Sequence, residues 1–127
     1  MLSIFKRKES KNNDHNAVDW ISMTSLEQLE NIVVDSEIDT VCIFKHSTRC
    51  GISKMVLNRF EKSLSKSITN YKFYYLDLLA YRNISDQISL TFEITHQSPQ
   101  LLVIKNKVAL ASASHYDILD MDIEKYA

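Results

Sequence analysis

The stretch TVCIFKHSTRCGISKMVLNRFEKSL, residues 40–64, joins two different periodicities around one cysteine. Its first seven residues, Thr40 to His46, are rich in β-branched and apolar side chains, the composition of a short buried strand. After Cys50 the spacing changes. Ile52, Met55, Val56, Phe60 and Leu64 fall on one helical stripe, with Lys54, Asn58, Arg59, Glu61 and Lys62 outside it. Cys50 therefore stands between a buried strand and the first turn of an amphipathic helix. Gly51, the chain's one glycine, follows it directly.

Upstream, Trp20 and Ile21 open the folded region as a short strand. TSLEQLENIVV (24–34) then has apolar residues at 26, 29, 32 and 33, a helical spacing. Thr24 or Ser25 is the expected N-cap, and Thr24 with Glu27 fits a capping box. Downstream, YKFYYLDL (71–78) reads as a strand, and SDQISLTFEI (85–94) as a helix capped by Ser85 or Asn83. The segment HQSPQ (96–100) interrupts with the only proline. A hairpin follows, with strands at 100–105 and 108–113 around Asn106 and Lys107, and HYDILDMDIEKYA (115–127) closes as a helix. The order is βαβαβαββα. Strands separated by helices need crossover connections and are expected parallel, whereas the hairpin adds antiparallel strands. The expectation is an α/β fold, a mixed central sheet flanked by helices, with the element order of the thioredoxin fold. Residues 1–17 are polar and charged and are expected to form a mobile tail before a domain at 18–127.

A chain of 127 residues, 45% apolar and 24% charged, is one domain with enough core to need no metal or disulfide staple. Its net charge of -1 shows no electrostatic footprint for nucleic acid or an anionic membrane. No segment approaches the roughly 20 apolar residues needed to span a bilayer. No apolar run suited to a signal peptide follows the basic N-terminal residues, and two cysteines do not make a secreted disulfide framework. The expected compartment is the cytoplasm, where thiols stay reduced.

Helix N-termini present unpaired N–H groups and about half a positive charge, and both favour a thiolate at Cys50. His46 and Arg49 add to this if they face the sulfur. The flanks His46, Ser47, Thr48 and Arg49 are polar, so Cys50 is read as a reactive thiol, while Cys42, inside VCIF, is read as core filler. His46 is read as a polar loop residue and helper to the thiol. Ser53 stands where dithiol oxidoreductases carry a resolving cysteine, so Cys-Gly-Ile-Ser is a one-thiol form of C-x-x-C, and its hydroxyl is in position to hydrogen-bond the thiolate. With no second cysteine in reach, the second thiol must come from solution. Cys42, His46 and Cys50 would align for a metal only on a helix, and the segment reads as strand and loop, so no metal is expected. Pro99 precedes a strand where thioredoxin folds keep a cis-proline loop, so a cis Ser98–Pro99 bond packed near Cys50 is expected. The Ser98 backbone would then be free to pair with a substrate's peptide groups.

Taken together, FKHSTRCGIS (44–53), THQSPQLLVI (95–104) and SASHYDI (112–118) resemble the monothiol bacilliredoxins of the bacillithiol system. The resemblance runs from about Trp20 to the C-terminus. It implies a thioredoxin-like fold and reduction of proteins carrying mixed disulfides with bacillithiol or another low-molecular-weight thiol. That thiol is a co-substrate, and no bound cofactor is implied. Cys50 would be the nucleophile, supported by Ser53, Gly51, His46, Thr48 and Arg49. Pro99 would be the cis-proline, and Ser98, Pro99, Ser114 and His115 would line the substrate side. S-thiolated proteins would be the partners. The chain departs from the family pattern at Gly51, where proline is usual, and at Gln97, where an acidic residue is common. CGIS also resembles the CGFS site of monothiol glutaredoxins, which bind glutathione and iron–sulfur clusters. Those proteins carry a Gly-Gly pair after the hairpin, and SASHYD occupies that region here. A thioredoxin-fold adaptor that binds peptides without turnover is the remaining alternative.

Overall fold

The computed structural model describes residues 18–64 and 70–127, so the tail expected over 1–17 lies outside the described residues. Five strands form one sheet in the order β1-β3-β2-β4-β5. They are β1 (Ile21–Ser22), β2 (Thr40–His46), β3 (Tyr71–Asp77), β4 (Gln100–Lys105) and β5 (Val108–Ser114). β1 and β2 each pair parallel with β3. β4 runs antiparallel to both β2 and β5, with a register shift at Val103/Ile104. The mixed sheet expected from the element order is the sheet observed.

Alternation along β2 divides the core. Val41 and Ile43 face one side with Leu76, Leu102 and Ile104, packed beneath α1 (Leu26–Asp35) and α3 (Arg82–Phe92). Cys42 and Phe44 face the other side with Phe73, Leu101 and Val103, packed against Val56 and Phe60 of α2 (Gly51–Ser63). Trp20 closes this second layer, with ring centroids 5.7 to 6.3 Å from those of Phe44, Phe60, Phe73 and Tyr75. Its indole N–H donates to Glu61 at 2.5 Å, which ties the start of the domain to α2.

Several local expectations are corrected. Ser25, one of the two expected N-caps, caps α1, but its capping box is with Gln28 and not the Thr24–Glu27 pair, because Gln28 Oε1 accepts from both the Thr24 and the Ser25 N–H. α3 begins at Arg82, with Tyr81 at its N-cap, and Ser85 is a buried residue inside the helix. Ile52 lies outside the packed stripe of α2 and is exposed, and Ser53 takes the buried position. The closing segment forms two 3-10 turns, His115–Asp120 and Ile123–Tyr126, in place of one helix. Ile118 and Ile123 are both buried, yet five residues on an α-helix turn through about 500°, which would put them on different faces. Extended backbone at Met121 breaks the helix and lets both reach the core.

Candidate active site

Three connections converge at the carboxyl end of β2. Lys45 pairs with Gln100, and Gln100 pairs with Ser114, so His46, Pro99 and the Ser114–His115 step lie at one end of the sheet. The His115 N–H donates to the Pro99 carbonyl at 3.0 Å, and the Ser98–Pro99 bond is cis. Four residues beyond His46, Cys50 closes a turn with its N–H on the Ser47 carbonyl at 3.2 Å. Its own carbonyl accepts the Lys54 N–H at 3.1 Å and starts the ladder of α2.

Cys50 is thus the N-cap residue of α2. Serine or aspartate there normally turns its oxygen onto first-turn N–H groups, whereas Cys50 makes no side-chain cap bond. A half-buried sulfur at the head of a 13-residue helix has those donors and the positive end of the dipole beside it. Thr48, Arg49, Gly51 and Ile52 are exposed around it. Gly51 is the first helical residue, and a Cβ built there meets nothing within 4 Å, so the backbone does not demand glycine.

His46 is the last residue of β2 and buried, in contrast to the loop position expected for it. Its ring lies 5.5 Å from that of Tyr75 and 6.3 Å from that of Phe44. Burial lowers its pKa, with the Asp77 carboxylate opposing and the Lys54 ammonium reinforcing. Ser53 is fully buried, and its hydroxyl is engaged away from the thiol: it accepts the Ser47 N–H at 3.1 Å and meets His46 Nδ1 at 2.7 Å. With the imidazole neutral and its proton on Nε2, Ser53 donates to Nδ1. The expected hydroxyl–thiolate bond is therefore replaced by a brace on the loop that delivers Cys50. Ser53→Ala would strand the buried His46 Nδ1 and the half-buried Ser47 N–H and is expected to lower stability by about 1 to 2 kcal/mol in urea unfolding.

The second cysteine is set apart. Cys42 is fully buried in the apolar layer, and desolvation pushes its thiol up to about 12. Sequence reasoning missed the opposite side of the same strand end. Lys45 is fully buried, and its Nζ donates to the Ser85 carbonyl at 3.1 Å, lies 3.2 Å from Ser89 Oγ and 3.2 Å from His96 Nδ1. It holds α3 and the loop before Pro99 to β2. The available signal was a lysine inside the apolar run CIFKH.

The topology and the lone accessible thiol at a helix N-cap define a thioredoxin-fold protein of the one-cysteine class. A family model described as monothiol bacilliredoxin BrxC matches residues 21–123, and the chain belongs to that family of thiol oxidoreductases. Among solved structures it is similar to a thioredoxin-fold protein proposed as an oxidoreductase, at 29% identity and a TM-score of 0.68, covering 80% of this chain and 88% of that one. Thioredoxin from Trypanosoma brucei brucei matches at 18% identity and TM-score 0.60, over 85% of this chain and 87% of its own. Thioredoxin f from spinach chloroplast matches at 16% identity and TM-score 0.61, over 79% and 86%. These two comparisons concern the fold alone.

Proposed function

We propose that the chain removes low-molecular-weight thiols from S-thiolated proteins by monothiol exchange at Cys50. One observation carries this reading: Cys50 is half-buried at the head of α2, while Cys42 lies fully buried in the core. A nucleophilic sulfur is thus within reach of a disulfide, and no internal thiol can resolve the product. The Cys50 thiolate attacks the small-thiol sulfur of a mixed disulfide and forms a new S–S bond. The protein's sulfur leaves as a thiolate and takes a proton from water. A second small thiol, as its thiolate, then attacks the small-thiol sulfur of the Cys50 mixed disulfide, forming the symmetrical small disulfide and expelling the Cys50 thiolate. Ser98, Pro99, Ser114 and His115 line the substrate side in this reading, with the cytoplasm as its compartment.

The small thiol is bacillithiol or another carrying carboxylates. A groove that starts at Gly51, the residue after Cys50, is lined by Lys54, Asn58, Arg59 and Lys62, a cationic surface along α2. The double variant Lys54→Glu, Arg59→Glu is expected to raise KM for a carboxylate-bearing thiol about three- to tenfold, with the effect shrinking at high salt. Mass spectrometry after incubation with oxidised bacillithiol, and separately with oxidised glutathione, tests the exchange directly. An adduct on Cys50 supports the reading, and none with either thiol would sink it. An iron–sulfur chromophore after anaerobic reconstitution would redirect it to the glutaredoxin-like alternative.

A further inference from the structure

On the sheet face opposite α2, a second groove of about 430 Å³ opens between the loop after α3 and edge strand β5. Its polar lining includes Glu93, Gln97, Gln100, Ser112, Ser114 and Asp117. Every charged side chain among them is a carboxylate. Gln100 is 2% exposed, and its Oε1 has no hydrogen-bond partner among the described residues. Turning the amide over does not cure this. Gln100 Nε2 donates to the Thr95 carbonyl at 3.0 Å, and the flipped amide would set oxygen against oxygen there. A buried carbonyl without a donor costs free energy comparable to a lost hydrogen bond, so a ligand that supplies an N–H gains what the fold leaves unmet.

We propose that this groove binds the ammonium or guanidinium of a lysine or arginine side chain that flanks the thiolated cysteine of a substrate protein. A cation with several N–H donors satisfies Gln100 Oε1 and pairs with Glu93 and Asp117 at once. The groove is continuous with the candidate active site through the chain itself. Gln97 and Gln100 bracket Ser98–Pro99, and Ser114 pairs with Gln100 one residue before His115. A peptide lying along the Ser98 backbone would therefore extend a neighbouring side chain into it. The assignment of the cation to a substrate protein rests on the thiol-exchange reading, whereas cation binding by the groove does not.

Two arms test the proposal separately. In the first, 15N-labelled full-length protein with Cys50→Ser is titrated with the Nα-acetyl methylamides of lysine, arginine and norleucine. The lysine and arginine probes are expected to shift the Gln100 side-chain amide and the Ser112 and Ser114 N–H signals, and the norleucine probe is not. Glu93→Gln with Asp117→Asn should weaken the shifts at least about tenfold in apparent Kd. Gln100→Met should weaken them too, with its melting curve as the control for folding. Equal shifts by norleucine, or cation shifts that persist in the carboxylate variant, would overturn the groove as a cation site. A shift by S-methylcysteine methyl ester in place of the side-chain probes would overturn the assignment to a protein side chain.

Glu93→Gly separates structure from binding. Glu93 caps α3 at φ 57°, a left-handed conformation that suits glycine. The variant is expected to melt roughly 2 to 5 °C higher while losing cation affinity. Unchanged affinity in the stabilised variant would assign Glu93 to capping alone and remove it from the site. In the second arm, wild-type protein is offered mixed-disulfide peptides with lysine, alanine or glutamate beside the cysteine. KM is expected about tenfold lower for lysine than for glutamate. Failure to turn over any peptide would count against thiol exchange and leave the titration to decide the groove.

Discussion

Replacing Cys50 by serine is expected to abolish release of the small thiol from a mixed disulfide, a loss of at least about a thousandfold. The magnitude follows from what is left behind. A hydroxyl at the same N-cap stays protonated at neutral pH, because serine lacks the low pKa and soft nucleophilicity of a thiol. It would make the cap bond that the sulfur does not make, so the variant should be at least as stable as the wild type. Retained folding with lost exchange separates chemistry from structure. The control is Cys42→Ala, whose site is fully buried among Phe44, Val103 and their neighbours. It should keep its exchange rate while losing some stability to the smaller side chain. Mass spectrometry of the thiolated substrate reads both variants. Substantial turnover by Cys50→Ser would remove Cys50 from the mechanism.

The second large effect belongs to Lys45. Burial brings its pKa down to about 8 from 10.5, with the Asp86 carboxylate opposing the shift. Between those values the unfolded chain holds the proton and the folded chain has released it, so stability rises with pH across the window. Between pH 8 and 10 the gain is expected to be about 2 to 3 kcal/mol relative to Lys45→Met, which cannot titrate. Above about pH 10 the trend reverses. Desolvation raises the phenol pKa values of Tyr71, Tyr74 and Tyr75, and their unfolded counterparts ionise first. On the acid side, the lowered pKa of His46 acts in the same sense as Lys45. Below its ordinary 6.5 the unfolded imidazole takes a proton that the folded one refuses, so stability falls as pH drops. Urea unfolding of wild type and Lys45→Met at matched pH measures the difference. Parallel curves from pH 8 to 10 would mean that Lys45 keeps an ordinary pKa.

Much of the fold was legible because its signals are local. The run from Thr40 to His46 is short and rich in β-branched residues, as a buried strand requires, and Met55, Val56 and Phe60 share one face on a helix but not on a strand. The lone proline marked the entry to β4. Where the expectations slipped, two readings satisfied the same local rule. Thr24 with Glu27 and Ser25 with Gln28 both fit a capping box, and the structure closes the second, with the Gln28 N–H on Ser25 Oγ and the Ser25 N–H on Gln28 Oε1. The last segment had enough apolar residues for a helix, but their five-residue spacing suits a sheet that must cover Ile118 and Ile123 separately.

The site divides along the same line. Sequence alone placed Cys50 between a strand and a helix and put Cys42 inside the core, because both follow from nearest neighbours and periodicity. It also bounded the chemistry, since a chain with one accessible thiol cannot resolve its own mixed disulfide. Only the tertiary structure decided where the buried polar groups turn. β2 lies between β3 and β4, so Lys45 meets α3 and His96 on one face while His46 meets Ser53 and Tyr75 on the other. Gln100 pairs with Lys45 and Ser114 through its backbone, and its side-chain Oε1 is left without a donor among the described residues. Partners 7 to 51 residues apart cannot be read from a local pattern, because they depend on which strands become neighbours. Strand order is settled by burial of the whole sheet, and with it which hydroxyl braces the nucleophile's loop and which buried amide oxygen is left without a donor.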